Sequence, residues 1–206
     1  MSHDPHAALL ELRHAATDRA MIVDVDERRL FAIDGIGEPS GSDFRLAADT
    51  LRQVARVLAR SLRRDRFVTP RPGILECAWW THPEPPPDEL PTVFEDRSTW
   101  HWQQMIEIPD EADEDAVAAA IDEVRRGGGR SRPLVRMIRL TEGRAAQILH
   151  VGGSADLASS LRKLIAAVAA AGLHPHGHIH ELRIADESDV PIGRARSILR
   201  IPVENL

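Results

Sequence analysis

Histidine occupies every second residue from 174 to 180, and Glu181 follows directly. Alternate side chains of a strand point to one face, so a His-x-His pair on a strand can chelate zinc. A proline and a glycine interrupt this stretch and leave only His178 and His180 on one regular strand face. Glu181 then projects to the other face, and His150 is the remaining distant ligand. We therefore expect no metal here; a haem bound through one of these histidines would rest on analogy between folds alone.

Two glutamates stand in the middle of otherwise apolar strand-like stretches, Glu76 in LECAWW and Glu181 in HIHELRI. A carboxylate that is buried in such a strand is costly unless it is paired or used, because burial disfavours its charge. Beside aromatic rings, however, a carboxylate makes a receptor for cationic or hydrogen-bond-donating ligands. We take both glutamates as candidate ligand-binding residues.

All four tryptophans fall between 79 and 102, and the chain has no tyrosine. Strand alternation places Trp100 and Trp102 on one face and separates Trp79 from Trp80. One of the adjacent pair must therefore point toward an enclosed site. The four rings fit either an ordinary core or a ligand site, and we retain all of them as candidate ligand contacts.

Arg183 follows Glu181 by two residues and hence shares its face. It can pair with Glu181 and lower the pKa of that carboxyl, or extend to solvent. If the protein were a hydrolase, Glu181 would be its catalytic residue and would orient or activate water. Without tyrosine, the proton donor would be Arg183, His180, a tryptophan N–H or a water.

The composition excludes several classes of protein. The formal net charge of −6 argues against general nucleic-acid binding, which needs a basic face. The lone cysteine, Cys77, rules out an internal disulfide and fits a reducing compartment, and inside an apolar strand it should be inert core. No signal peptide or long apolar run is present. We expect a soluble cytoplasmic protein, monomer or homodimer, with a small molecule as its partner, no cofactor and no membrane.

Hydrophobic periodicity predicts alternating strands and helices along the chain. An amphipathic leader helix is expected over 6–20 and a strand over 21–39. A helix over 40–64, strands over 73–82 and 99–110, and a helix over 110–129 follow. The second half predicts two strands within 134–153, a helix over 157–173, and strands over 177–186 and 195–206. The proline-rich segment 82–91 should be a loop, and RGGGR (126–130) a helix stop and linker rather than a phosphate cradle.

The two halves follow the same plan, strand–helix–strand–strand, and each first strand ends in glycines before its helix. This pattern predicts an α+β fold, a duplicated βαββ repeat with pseudo-two-fold symmetry and a central ligand cleft. Helices should cover one face of the sheet. We expect one domain over 1–206, with a leader over 1–21, a first repeat over 22–110, a connecting helix and linker over 111–133, and a second repeat over 134–206.

Six stretches carry a resemblance to a known family, in this order: FAIDGIGEP (31–39), LECAWW (75–80), WQQMIEIPD (102–110), EGRAAQILHVGG (142–153), HIHELRIAD (178–186) and ILRIPV (198–203). Together they resemble the standalone GyrI-like small-molecule-binding proteins of bacteria, from about residue 22 to the end. The resemblance implies two βαββ repeats in a SOUL-like fold around a hydrophobic pocket with a glutamate at its base. Relatives include effector domains of multidrug-sensing activators, a DNA gyrase inhibitor, and hydrolases that open the cyclopropane ring of alkylating natural products.

The same resemblance implies site residues. Glu181 matches the pocket glutamate of the family's His-His-Glu-Ile-Tyr-Leu motif, and Glu76 matches the glutamate of its Leu-Glu-Gly-Leu-Trp motif. This chain departs from both motifs, with Cys77 in place of the glycine and Arg183 in place of the tyrosine. The expected function is binding of flat, hydrophobic compounds, cationic ones included. The alternative is a hydrolase of cyclopropane-bearing compounds, for detoxification or self-resistance.

Overall fold

The computed structural model describes residues 16–66, 73–86, 89–91, 99–128, 132–185 and 190–205. These residues form three α-helices, which are α1 (Ser42–Arg66), α2 (Glu114–Gly128) and α3 (Leu157–Ala170). They also form nine strands, which are β1 (Met21–Val25), β2 (Arg28–Ile36), β3 (Leu75–Trp80), β4 (His101–Glu107), β5 (Arg136–Leu140), β6 (Gly143–Val151), β7 (Leu173–Pro175), β8 (Ile179–Ala185) and β9 (Arg196–Asn205).

The strands form one antiparallel sheet in the order β1-β6-β9-β8-β3-β4-β2-β5, and the short β7 pairs with β9. The order has an internal symmetry. Exchanging β1 with β5, β2 with β6, β3 with β8 and β4 with β9 reproduces the order in reverse. The pair β8–β3 is the centre of this symmetry. A two-fold repeat of the kind that the sequence predicts would produce this strand order.

The predicted α+β class is correct, and α1 and α3 lie on the same sheet face. α1 packs against β2 and β4, whereas α3 packs against β6, β7 and β9. α2 packs chiefly against α1. One row of neighbouring residues on this face runs from Ile148 through Leu199, Glu181, Cys77 and Gln104 to Ile33. Except for the two polar residues, this row belongs to the main core cluster.

Local helix signals in the sequence have structural counterparts. The side chain of Asp113 accepts a hydrogen bond from the backbone N–H of Ala116 at 2.8 Å and so caps the start of α2. α2 has Glu114 and Asp115 in its first turn and two arginines in its last turn, which complements the helix dipole. Gly172, at a φ of +69°, follows α3 and ends it as expected.

Two details of the sequence-based elements were wrong. The strand expected over 21–39 is two strands, and β1 pairs with β6 in the other half rather than with β2. The short strand β7 was also not expected from the sequence. The leader helix expected over 6–20 lies mostly outside the described residues, and 16–20 are not helical. Within the described residues, no helix is both long and apolar enough to cross a membrane.

Candidate functional site

Glu181 lies at the centre of the helix-bearing face, on β8, and only 5% of its surface is exposed. Its Oε1 accepts a hydrogen bond from the Ser197 hydroxyl at 3.0 Å, and its Oε2 accepts one from the indole N–H of Trp79 at 3.2 Å. The Nε of Arg183 lies 3.6 Å from Oε1. The buried carboxylate is therefore satisfied by two hydrogen bonds and one cation, as its burial requires.

Aromatic rings surround this carboxylate. Trp79 stacks on Phe44 of α1 with ring centroids 5.4 Å apart, and Trp100 lies 4.7 Å from Trp79. Trp102 meets Phe44 edge-on at 5.1 Å. All four rings are buried in the core. We call these four rings, together with Glu181 and Arg183, the aromatic cluster.

A glycine on the neighbouring strand makes room for one of these rings. Gly35 of β2 is opposite Trp102 of β4, and a Cβ on Gly35 would lie only 2.1 Å from the Trp102 ring. A side chain at this position would therefore push the ring out of place. The absence of a side chain at Gly35 therefore allows the Trp102 ring to take its place in the aromatic cluster.

The first turn of α1 is attached to the sheet beneath it. The side-chain amide of Gln104 donates a hydrogen bond to the backbone oxygen of Phe44 at 2.9 Å. Gln104 Oε1 and the indole N–H of Trp102 are buried and have no hydrogen-bond partner among the described residues. The Gln104 oxygen and the Trp102 N–H are therefore an acceptor and a donor available at the cluster. Most buried polar atoms of a folded protein are hydrogen-bonded, so these two are exceptions.

Arg183 takes the first of the two orientations that the sequence left open. Besides its ion pair with Glu181, its guanidinium lies 5.3 Å from the centroid of the Phe44 ring, within the range of a cation–π contact. Its side chain is 18% exposed, against 7% for that of Glu181. Arg183 therefore covers the carboxylate from the solvent side.

Cys77 occupies the row position between Glu181 and Gln104 and is fully buried. Burial raises the pKa of the Cys77 thiol well above its usual range, against the opposing charge of Arg183. A thiol held protonated in this way is a poor nucleophile. Cys77 is therefore part of the floor of the cluster and not a reactive group.

The opposite sheet face carries a second set of buried polar residues, which we call the polar network: Arg28, Glu76, Glu142, Gln147, His180 and Arg200. Arg28 donates to both oxygens of Glu76, at 2.8 and 3.2 Å, and also to Glu142. His180 Nδ1 lies 2.5 Å from Glu76 Oε1. Arg200 donates to Glu142 at 3.3 Å and to Gln147 at 3.1 and 3.0 Å.

This network sets the charge of Glu76. Burial by itself would raise the pKa of Glu76, but the hydrogen bond with His180 and the charge of Arg28 outweigh it and hold that pKa below its ordinary range. In the same way, burial would lower the pKa of Arg28, but the Glu76 carboxylate, with Glu142 and Glu107, raises it. Both groups are therefore ionised, as a charge-assisted pair.

Glu76, Glu142 and His180 bring possible metal-ligand atoms within 4.8 Å of one another. Two arginines already neutralise these carboxylates, however, and Arg28 contacts both of them. A cation would have to displace a guanidinium and would gain little charge in return. We therefore interpret the network as a charge-balanced structural element. A cleft of about 430 Å³ next to it is lined in part by Arg28, Gln147 and Arg200.

The structure does not bring the histidines considered for a metal site together. His178 and His180 lie on the sheet face opposite to α1 and α3. His150, considered as a third metal ligand, contacts Ser160 of α3 at 2.8 Å, on the helix-bearing side. Instead, His178 stacks on Trp80 with centroids 4.4 Å apart, and its Nδ1 lies 3.3 Å from Glu84.

The structure thus separates the predicted ligand-binding residues into two groups. Trp79, Trp100, Trp102, Glu181 and Arg183 come together in the aromatic cluster. Glu76 and Trp80 lie on the opposite face, because strand alternation separates them from their neighbours Cys77 and Trp79. His180, considered as a proton donor for Glu181, pairs with Glu76 instead.

Three residues at the aromatic cluster were not among the predicted site residues: Phe44, which supplies one of its four rings, and Gln104 and Ser197, which contact it. Each of them was visible only as part of a helix stripe or a strand. The apolar stripe of α1 contains Phe44, but no local pattern distinguishes the ring that caps Trp79 from the rest of the core. The strand alternation that groups Gln104 with Trp102 is the one signal that pointed in the right direction.

Comparisons with known proteins identify the fold. No family model matches the chain, and no curated protein matches it. Among solved structures, an uncharacterized conserved protein from Listeria innocua is 22% identical with a TM-score of 0.81, and the match covers 96% of this chain and 98% of that one. A hydrolase from Listeria innocua is 21% identical with a TM-score of 0.77 over the same shares. The EcmrR C-terminal domain is 11% identical with a TM-score of 0.57, over 91% of this chain and 98% of that one.

Proposed function

We propose that the protein binds planar hydrophobic small molecules at the aromatic cluster, as the resemblance to GyrI-like proteins implies. The observation that carries this proposal is the Glu181 carboxylate, buried among stacked rings and hydrogen-bonded to the Trp79 indole. Unlike the Glu76 carboxylate, which belongs to an extended network of buried charges, the Glu181 carboxylate lies among aromatic rings, where apolar residues of similar volume could often replace an ion pair without loss of stability. A ligand site gains from such a carboxylate, because a fixed charge among rings gives orientation and selectivity.

The unused hydrogen-bonding atoms favour the same location. Trp102 offers a buried N–H donor and Gln104 a buried oxygen acceptor, neither with a partner among the described residues. Unmet buried polar atoms cost free energy, and a ligand with a carbonyl or an amine would recover it. The site therefore suits flat rings that carry one or two polar substituents.

A ligand would reach the cluster by displacing Arg183 and Phe44, which cover the Glu181 carboxylate and the Trp79 ring. The tryptophans are almost fully buried, so a ligand must displace a protein group in order to stack on them. Phe44 lies in the first turn of α1, where helix backbone bonds are fewest, and Arg183 is the more exposed half of its ion pair. Movement of these two side chains would expose the face of Trp79 without disturbing the sheet.

Trp79 and Trp80 are adjacent in the sequence and lie on opposite faces of the sheet, so substituting each in turn tests the proposed location of the site. Acridone, a neutral planar tricycle, is titrated into the native protein and into Trp79→Phe and Trp80→Phe, with binding followed by quenching of tryptophan fluorescence. We expect saturable quenching by acridone, weakened about tenfold in Trp79→Phe because an indole N–H and part of the stack are lost. Trp80→Phe is the matched control and should bind as the native protein does. Equal affinities in all three proteins would refute the proposed location.

A second candidate is a hydrolase that opens electrophilic cyclopropanes, favoured by the full-length fold match to Listeria proteins that are named hydrolases. In this reaction water would add to the ring methylene, a ring carbon–carbon bond would break, and its electron pair would pass to a conjugated carbonyl, which takes up a proton. Glu181 would hold the attacking water as general base. Arg183 and the Trp79 N–H lie at the site and would hydrogen-bond to the developing charge, and the proton itself would come from water because arginine stays protonated.

Mass spectrometry decides between binding and hydrolysis. The native protein is incubated with a cyclopropane-fused dienone alkylator, and the product that has gained one water is quantified against a Glu181→Ala control. Enzyme turnover predicts hydrated product well above that control. If the two proteins give equal amounts, the hydrolase candidate is withdrawn, while binding of acridone remains open to its own test.

A further inference from the structure

Arg183 places a cation of the protein at the position where a cationic ligand would bind. Its Nε is 3.6 Å from the Glu181 carboxylate, and its guanidinium is 5.3 Å from the Phe44 ring. An acidic group and an aromatic face are the two features that attract a ligand cation. In this chain both are already used by the same side chain.

The charges around Glu181 therefore cancel before any ligand arrives. The carboxylate carries one negative charge and Arg183 one positive charge, and within the described part of the chain the hydrogen bonds that the carboxylate accepts come from the neutral groups of Trp79 and Ser197. Arginine remains protonated at every pH at which proteins fold, so the positive charge of Arg183 does not depend on pH. A planar cation entering the cluster would meet no net attraction unless the guanidinium moved away.

The two halves of the ion pair differ in their freedom to move. Glu181 is fixed by hydrogen bonds to both oxygens, and its side chain is 7% exposed. The Arg183 side chain is 18% exposed and extends over the cluster. A ligand must therefore compete with Arg183, not with Glu181, and the cost of that competition depends on the charge of the ligand.

We propose that Arg183 sets the charge selectivity of the site, so that the native protein favours neutral planar ligands and disfavours planar cations. This inference rests on the proposed function and adds to it the specificity-determining residue. Removing the guanidinium leaves the Glu181 carboxylate and the Phe44 ring unoccupied by any protein cation. Such a site attracts planar cations, which would regain both the ion pair and the cation–π contact that Arg183 makes.

Two probes of nearly equal size, one neutral and one cationic, test the inference. Acridone is neutral, and 10-methylacridinium is a cation of similar shape. Dissociation constants for both are measured with the native protein, with Arg183→Leu, and with Arg139→Leu. Arg139, on β5, pairs with Glu27 at the surface at 3.0 Å, so its removal changes the net charge equally without affecting the cluster.

The native protein should bind acridone more tightly than 10-methylacridinium. Arg183→Leu should bind 10-methylacridinium about tenfold or more tightly than the native protein does, with the affinity for acridone changed by less than about threefold. Arg183→Lys should keep the native preference, and Arg139→Leu should leave both constants unchanged. Arg183→Gln, which is also uncharged, serves as a second variant if the leucine variant does not fold.

An unchanged affinity for 10-methylacridinium in Arg183→Leu or Arg183→Gln, with acridone still bound, would overturn the role of Arg183 and leave the proposed function standing. An equal gain in Arg139→Leu would also overturn it, because net charge alone would then explain the effect. If acridone binds to none of the proteins, the proposed function fails and this inference falls with it.

Discussion

Glu76 and Glu181 lie on adjacent central strands, one residue out of register, and therefore project to opposite faces of the sheet. Glu181 is paired across the strands with Cys77, the residue after Glu76. The two carboxylates pair with different arginines, Glu76 with Arg28 and Glu181 with Arg183. The sheet thus holds two buried charge pairs back to back. The first is part of an extensive network, and the second lies among aromatic rings.

The ionisation of Glu76 should make the stability of the protein depend on pH. The folded-state pKa of Glu76 is below the ordinary value of 4.5, so its contribution is fully present above that value and is lost as the pH falls below it. We expect the free energy of unfolding to decrease between about pH 5 and about pH 3, with Glu76 contributing up to about 1.4 kcal/mol per pH unit. Urea unfolding at a series of pH values measures this slope.

Glu76→Gln should flatten that pH dependence, because glutamine does not titrate. Glu123→Gln is the control, since Glu123 is exposed on α2 and pairs with Arg60 at the surface. A slope that stays the same in Glu76→Gln would contradict the assignment of the depressed pKa to this carboxyl.

Arg28→Met should destabilise the protein by about 3–5 kcal/mol, because it leaves two buried carboxylates without their shared cation. The double variant Arg28→Met/Glu76→Gln should cost less than the sum of the two single changes by about 1–3 kcal/mol. Arg139→Met, at a surface pair with Glu27, should cost no more than about 1 kcal/mol. Strict additivity of the two single changes would mean that Arg28 and Glu76 do not interact in solution.

Gly35→Ala should disturb the aromatic cluster through Trp102. The added Cβ would lie 2.1 Å from the indole ring, so either the ring or strand β2 must move. We expect a loss of about 1–3 kcal/mol in the free energy of unfolding and a shifted tryptophan emission maximum. In contrast, Gly127→Ala in α2 meets no atom within 4 Å and should be neutral or stabilising by up to about 1 kcal/mol. Similar effects of the two changes would argue against tight packing of Trp102 on Gly35.

The helices and most of the strands could be predicted because their signals are local. The apolar stripe that contains Phe44 and the caps of α2 follow from residues three and four apart. Strand alternation also placed Trp100 and Trp102 on one face correctly. The exchange of β1 and β5 between the halves could not be predicted, because a short amphipathic strand carries no information about its neighbour in the sheet.

The polar network was invisible to sequence analysis for the same reason. Arg28 is separated from Glu76 by 48 residues and from Glu142 by 114, and the His180–Glu76 pair spans 104. Only the three-dimensional register of β2, β3 and β8 brings these charges together. The alternating histidines suggested a metal site in the sequence. In the structure, His180 is a hydrogen-bond partner of Glu76, and the His178 ring stacks on Trp80.

The indole N–H signals of the four tryptophans report directly on whether a ligand binds at the aromatic cluster. They can be resolved in a proton–nitrogen correlation spectrum and assigned with single Trp→Phe variants. On addition of acridone, we expect shifts of the Trp79 and Trp102 signals, since Trp79 donates to Glu181 and Trp102 faces Phe44. The Trp80 signal, from the opposite face, should not move. Saturable shifts confined to Trp80, or no shift of Trp79 at concentrations that quench fluorescence, would contradict a ligand site at the aromatic cluster.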